Sequence, residues 1–443
     1  MFNNLGVNMG SSVLKKKDFL LLMQGKFVSL IGSEMQATAL SLYVLAKTGS
    51  ATKFASVLAI TIIPKVILGP IAGVFADWFD RKKIVVGLDF LNGLIIALYA
   101  CIFHINGGIS MPYIYALTVS LAIIELLFQP AVGTIIPSIV KKEELVAANG
   151  INSTIMNIGL LLSPCIGAIL YGIKGLGLVF IINAISFTLS AISEMFINVP
   201  KLNKRPEKIN FKVFKQDFLA GLNFVKERKV IKAIIKLGII LNFAFNSFIS
   251  IGVLYISKQI LKVSDYQYGI MQSVLVIGMF IAPVLCAYLC KKMKIGKLMF
   301  IATISMGISV FLVSLCASKD IINIIGNKSI IFIILTVLCI CVVALGSATS
   351  MALGISVQQQ VSVQYLGRVS TVMNALLMAA SPLGSMFFGM LYDKIPASIV
   401  VIISSSIVIL ASILLRRSLC LGDEEENISS QEGTVYENYD KII

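Results

Sequence analysis

Residues 329–354 read SIIFIILTVLCICVVALGSATSMALG, a run without one Asp, Glu, Lys or Arg. A helix of about 20 predominantly apolar residues spans a hydrocarbon core of ~30 Å, so this run is long enough to cross a bilayer. Eleven further apolar runs accompany it. Before the middle of the chain they fall at 18–46, 51–78, 84–105, 112–137, 145–173 and 175–198. After a polar stretch they resume at 229–257 and 266–290, then 295–317, and beyond the opening run at 366–391 and 396–415. The composition agrees: of 443 residues, 57% are hydrophobic and 13% charged. That much apolar surface cannot be buried in a water-soluble core. The expected fold is an all-α membrane protein with twelve transmembrane helices in two six-helix pseudo-symmetric halves.

The formal charge of +15 does not mark a nucleic-acid binder, because the basic residues sit in short clusters between apolar runs rather than on a soluble face. Lys15–Lys17, Arg81–Lys83, the 201–232 stretch, Lys291–Lys297 and Arg416–Arg417 all fall on one side if both termini face the cytoplasm. The positive-inside rule then sets the orientation. No cleaved signal peptide is read at the N-terminus. Eight cysteines without paired spacing argue against a disulfide framework or a zinc site, and the sequence implies no cofactor and no metal.

Five regions follow: an N-tail (1–17), an N-terminal bundle (18–198), a cytoplasmic linker (199–228), a C-terminal bundle (229–417) and a disordered acidic tail (418–443). In the linker, Phe211, Phe214, Phe218, Leu222 and Val225 recur at helical spacing opposite Lys212, Lys215 and Lys226. That pattern predicts an amphipathic helix on the inner membrane surface. The two bundles repeat a signature: Asn157, Ser163-Pro164 and Gly167 in the first match Asn374, Ser381-Pro382 and Gly384 in the second. Parallel repetition of six helices is a transporter design with its path at the repeat interface.

Three stretches carry a family likeness. Gly73-Val74-Phe75-Ala76-Asp77-Trp78-Phe79-Asp80-Arg81-Lys82-Lys83 resembles the signature loop of the major facilitator superfamily. Gly159, Ser163-Pro164, Gly167 and Ala168 resemble its antiporter motif. Gln358-Gln359-Gln360 with Gly367-Arg368-Val369 resembles the branch containing macrolide efflux proteins and enterobactin exporters. The resemblance implies a cytoplasmic latch formed by Asp77 and Arg81 that stabilises the outward-facing state. It also implies a helix-five face (Gly159, Ser163, Pro164, Gly167) that meets the other half and blocks leakage. It places helices one, four, seven and ten around a central cavity.

Charges at membrane depth cost about 2.5 to 3.5 kcal/mol on insertion scales and call for a reason. Glu34 lies near the middle of helix one and Glu125 near the middle of helix four; both are candidates for proton coupling or for recognising a cationic substrate. Lys65, at similar depth, can instead neutralise Glu34 as a structural ion pair. Gln36, Gln129, Asn242 and Asn246 are candidate cavity-lining groups. Asp89 and Glu194 are read as structural. The leading function is proton-coupled efflux of small amphipathic drug-like molecules or secondary metabolites by alternating access, in the cell membrane and not by an enzyme. Export of a siderophore or lysophospholipid, and a non-transporting membrane sensor, are the competing readings. The oligomeric state is left open, with the monomer as the working expectation.

Overall fold

The computed structural model describes residues 13–65, 67–69, 80–200, 211–290, 292–361 and 363–439. The described elements are helices, and there is no strand among the described residues. In the first unit, α1 is Lys17–Thr48, α2 is the span Ala51–Gly69, α3 is Arg81–Asn106 and α4 is Met111–Ile139. A long helix, Leu145–Met195, follows. Eleven helices among the described residues are long and apolar enough to cross a membrane, and one of them, Ala147–Met195, has 49 residues.

That helix extends to about 74 Å at 1.5 Å per residue, more than twice the hydrocarbon thickness. Its backbone leaves helical geometry at Lys174 and at Gly175, where φ is +69°. Glycine takes that conformation without the Cβ clash that penalises other residues. Contacts with α1 give the direction on each side of the break. Gly159 meets Leu30 and Gly167 meets Met35, so the chain runs with α1. Asn183 then bonds Gln36, Ser190 lies against Gly25, and Ser193 bonds the Leu21 carbonyl, so it returns against α1. The helix is an antiparallel hairpin of two crossings, α5 (145–173) and α6 (176–195). Counted this way, the described residues hold twelve helical segments of membrane-crossing length.

Within 199–228 a helix, α7, spans Phe211–Glu227. Its C-terminal part is seated on protein: Gly221 lies against the Arg368 backbone, and the Phe224 ring stacks on Tyr365 at 5.0 Å. Arg228 covers the other face of Phe224 at 4.6 Å. The second unit continues with α8 (Lys229–Ile260), α9 (Asp265–Cys290), α10 (Ile295–Cys316), a short α11 (Lys319–Ile325), α12 (Lys328–Gln360), α13 (Val363–Lys394) and α14 (Ala397–Tyr439). Chain contacts group 263–273, the start of α9, with the first unit.

Candidate functional site

Glu34 and Glu125 reach the wall of one cavity of about 410 Å³ in the first unit. Gln36, Lys65 and Gln129 share that wall, so five of the expected polar residues converge there. Lys26, Asp89, Asn92 and Asn183 line it as well. The volume falls in the range of small-molecule sites, about 300–1,000 Å³.

Lys65 forms an ion pair, but not with the expected partner. Its Nζ lies 3.1 Å from Glu125 Oε2. The reason is helix adjacency. The Ser56 hydroxyl on α2 is 2.6 Å from the Tyr115 hydroxyl on α4, and one comparable step further along both helices brings Lys65 opposite Glu125. Both side chains remain partly open to the cavity, 29% and 54% exposed, so their attraction is screened. Glu34 is left with no cation within 4 Å among the described residues, while the Glu125 charge lies within Coulombic reach. α1 therefore presents a cavity-facing carboxyl with no counter-ion among the described residues.

The neighbouring polar groups are mostly committed to structure. Asn183 Nδ2 donates to Gln36 Oε1 at 2.8 Å with both side chains buried, which fixes α6 on α1. Gln36 is thus a cross-helix bracket as well as a wall residue. Lys26 Nζ donates to Asn152 Oδ1 at 2.7 Å, tying α1 to α5. Sequence reasoning missed the Asn183 and Asn152 roles. A lone amide in an apolar run was the available signal, because burying it requires a partner.

In the second unit, Asn242 and Asn246 form a short ladder on α8: Asn242 Nδ2 donates to the Gly238 carbonyl at 2.9 Å and Asn246 Nδ2 to Asn242 Oδ1 at 2.8 Å. The turns here are widened, with the Asn246 N–H bonding the Leu241 carbonyl five residues back. Such π turns are rare and often mark functional positions. No periodicity in the sequence announces them.

The helix-five motif packs on two sides. Gly159 and Gly167 seat α5 on α1 of the same unit, where a Cβ on Gly167 would come within 2.8 Å of Met35 Cα. The Ser163 hydroxyl donates to the Gly159 carbonyl. The Pro164 side of α5 receives Gly269 of α9, and Cys165 N–H donates to Ser273 Oγ at 3.2 Å. Gly159 and Gly167 are thus taken up by α1, because i, i+4 glycines admit whichever backbone comes closest, while Pro164 and Cys165 meet the start of α9. Of the expected latch, Asp77 lies outside the described residues. Arg81 opens α3, and it is Asp80 that caps this helix, accepting from Lys82 N and Lys83 N at 3.0 and 3.3 Å.

A bilayer-length helical bundle with a polar, ionisable cavity inside it defines a multi-pass membrane transporter. Residues 22–385 match the Major Facilitator Superfamily, and the chain belongs to that family, whose members are transporters rather than enzymes. Macrolide efflux protein A of Streptococcus pyogenes is 24% identical over 388 residues, covering 86% of this chain and 90% of that protein. Among solved structures, the nucleoside transporter NupG superposes with a TM-score of 0.71 at 12% identity, over 90% of this chain and 98% of that one. A bacterial homologue of the iron transporter ferroportin, in an inward-facing state, gives 0.71 at 15% identity over 92% and 99%. At these identities the two structures speak for the fold alone.

Proposed function

We propose that this protein is a secondary active exporter, coupling proton entry to the efflux of small amphipathic, drug-like molecules by alternating access in the cell membrane, with both termini in the cytoplasm. The observation that carries the reading is the unequal pair of carboxyls in one cavity: Glu125 is held by Lys65, and Glu34 faces the cavity with no counter-ion among the described residues. A carboxyl in that position gains from binding a proton or the cationic group of a substrate, and either event changes its repulsion with Glu125. Likeness to macrolide efflux protein A supports efflux as the direction.

The test is efflux of ethidium and of a macrolide from energised cells expressing wild type, Glu34→Gln or Glu125→Gln, with and without a protonophore, at matched membrane levels. Wild-type efflux should collapse with the proton gradient. Glu34→Gln should lower it by about a hundredfold or more, the scale of losing one positioned proton-transfer group. Efflux that persists without the gradient, or a Glu34→Gln protein that transports as wild type does, would remove the proton-coupled reading.

A further inference from the structure

Six buried side-chain oxygens among the described residues have no hydrogen-bond partner, and five of them lie together: Asp89 Oδ2, Asn92 Oδ1, Ser190 Oγ and both Glu194 carboxylate oxygens. The export reading uses none of them. Asp89 and Asn92 are three apart on α3, and Ser190 and Glu194 four apart on α6, so each pair shares a helix face. The two helices meet closely, since a Cβ on Gly93 of α3 would touch the Ala184 carbonyl and Thr188 Oγ1 of α6. Glu194 also lies against Gly25 of α1, and the Asp89 charge acts on it. The Ser190 hydroxyl sits beside Asp89 without satisfying hydrogen-bond geometry. Asp89 and Glu194 are each 1% exposed, Ser190 0% and Asn92 8%.

Two adjacent carboxylates that far from water cannot both stay ionised without a compensating charge. Among the described residues no cation lies within 4 Å of either. The charged groups on the surrounding elements are otherwise engaged or more distant: Lys26 of α1 bonds Asn152, Lys65 of α2 pairs with Glu125 of α4, and Glu34 of α1 faces the cavity. Asp89 and Asn92 both reach that cavity, which gives the cluster a route to solvent. Unsatisfied oxygens of carboxylate, amide and hydroxyl type are the ligands a hard cation takes, and no Cys or His joins them to favour a softer metal.

We propose that Asp89, Asn92, Ser190 and Glu194 form a binding site for one hard divalent cation, entered from the cavity past Asp89 and Asn92. A divalent ion matches the two carboxylates in charge. Ca²⁺ is the apt probe because it accepts irregular oxygen shells and completes them with water, whereas Mg²⁺ demands a near-ideal octahedron. Binding requires both carboxyls deprotonated, so affinity must fall as the pH is lowered. The site stands independently of what the protein exports.

The experiment is equilibrium ⁴⁵Ca²⁺ binding to the purified full-length protein in detergent, at neutral and mildly acid pH, with unfolding temperature followed in parallel. The wild type should bind one Ca²⁺ per chain, more weakly at acid pH, and should unfold at a higher temperature with Ca²⁺ present. Asp89→Asn and Glu194→Gln should each weaken binding by at least about tenfold, the lower end of losses seen when a metal site is disturbed. Asn92→Leu keeps both acids and should weaken binding in the same direction; it carries the test if the acid variants fail to fold. Wild-type protein that neither binds Ca²⁺ nor is stabilised by it at about 1 mM, the weak end of protein calcium sites, overturns the proposal and leaves the pair to protons alone. Loss of binding in Glu34→Gln or Glu125→Gln with binding intact in Asp89→Asn also overturns it, by moving the ion to the cavity wall.

Discussion

In the first unit the Met35 backbone of α1 occupies the space a side chain on Gly167 would need, and in the second the Phe243 backbone of α8 does the same to Gly384, 2.6 Å from its would-be Cβ. Each glycine follows a Ser-Pro pair in the repeated signature, so the same sequence device seats the fifth helix of each unit on its first. The polar contents then diverge. Among the described residues the first unit buries Asp89 and Glu194 within its candidate spans and lines its cavity with Lys26, Glu34, Lys65 and Glu125, whereas the second unit buries no charged side chain. At the position where Asn183 ties α6 to Gln36 of α1, the second unit has only a serine, Ser404, donating to the Ala244 carbonyl at 3.1 Å. The comparison teaches that packing was kept in both repeats while buried charge was concentrated in one. Small residues at a helix crossing cost nothing when duplicated, whereas each ionisable group in a bilayer must be paired or used.

Substitutions in both units break or sharpen this comparison. Gly167→Ala and Gly384→Ala should have the largest effect, each costing about 1–3 kcal/mol or more through overpacking against backbone that cannot move aside. Thermal unfolding in detergent reads the cost, and equal losses in the two units are expected; a silent Gly384→Ala would deny that the device is shared. Next comes Asn183→Ala, which strands the Gln36 amide and should cost about 1–3 kcal/mol, against about 1 kcal/mol for Ser404→Ala. A larger loss for Ser404→Ala would reverse the proposed asymmetry.

Smaller still is the coupling between Lys65 and Glu125. A double-mutant cycle with Lys65→Met and Glu125→Gln should give about 1 kcal/mol or less, because both groups are partly exposed to the cavity. The single change Lys65→Met, which leaves Glu125 without its cation, should impair efflux more than the double variant does. The smallest effect belongs to Asn242→Ala, under about 1 kcal/mol, since its amide bonds only within α8 and the carbonyl it releases keeps its backbone partner. A loss as large as that of Asn183→Ala would mean the Asn242–Asn246 ladder holds more than one helix.

Much of the architecture was legible from local rules. The apolar runs located the helices, because length and hydropathy decide what crosses a bilayer. Glu34 and Glu125 were legible as exceptional groups, and the cavity does bring them together with Gln36, Lys65 and Gln129. Lys65 was recognisable as an ion-pairing residue, but its choice of Glu125 over Glu34 depends on α2 lying beside α4, held by Ser56 and Tyr115. Asp89 and Glu194 show the limit most sharply. They lie over a hundred positions apart, and as separate residues each reads as a helix-end acid.

By itself, then, the sequence determined a membrane-embedded helical protein, its internal repeat and the positions at which charge enters the bilayer. Those properties follow from the composition of each segment taken alone. Only the tertiary structure decided the partners: that α5 and α6 double back on α1, that Lys65 serves Glu125, and that five oxygens of α3 and α6 are buried without a hydrogen-bond partner. Partnership is settled by which helix faces meet, and a helix of small and apolar residues offers several faces of nearly equal cost. The buried polar groups select among them, because each must find its match within a few ångströms or remain unsatisfied in a medium without water.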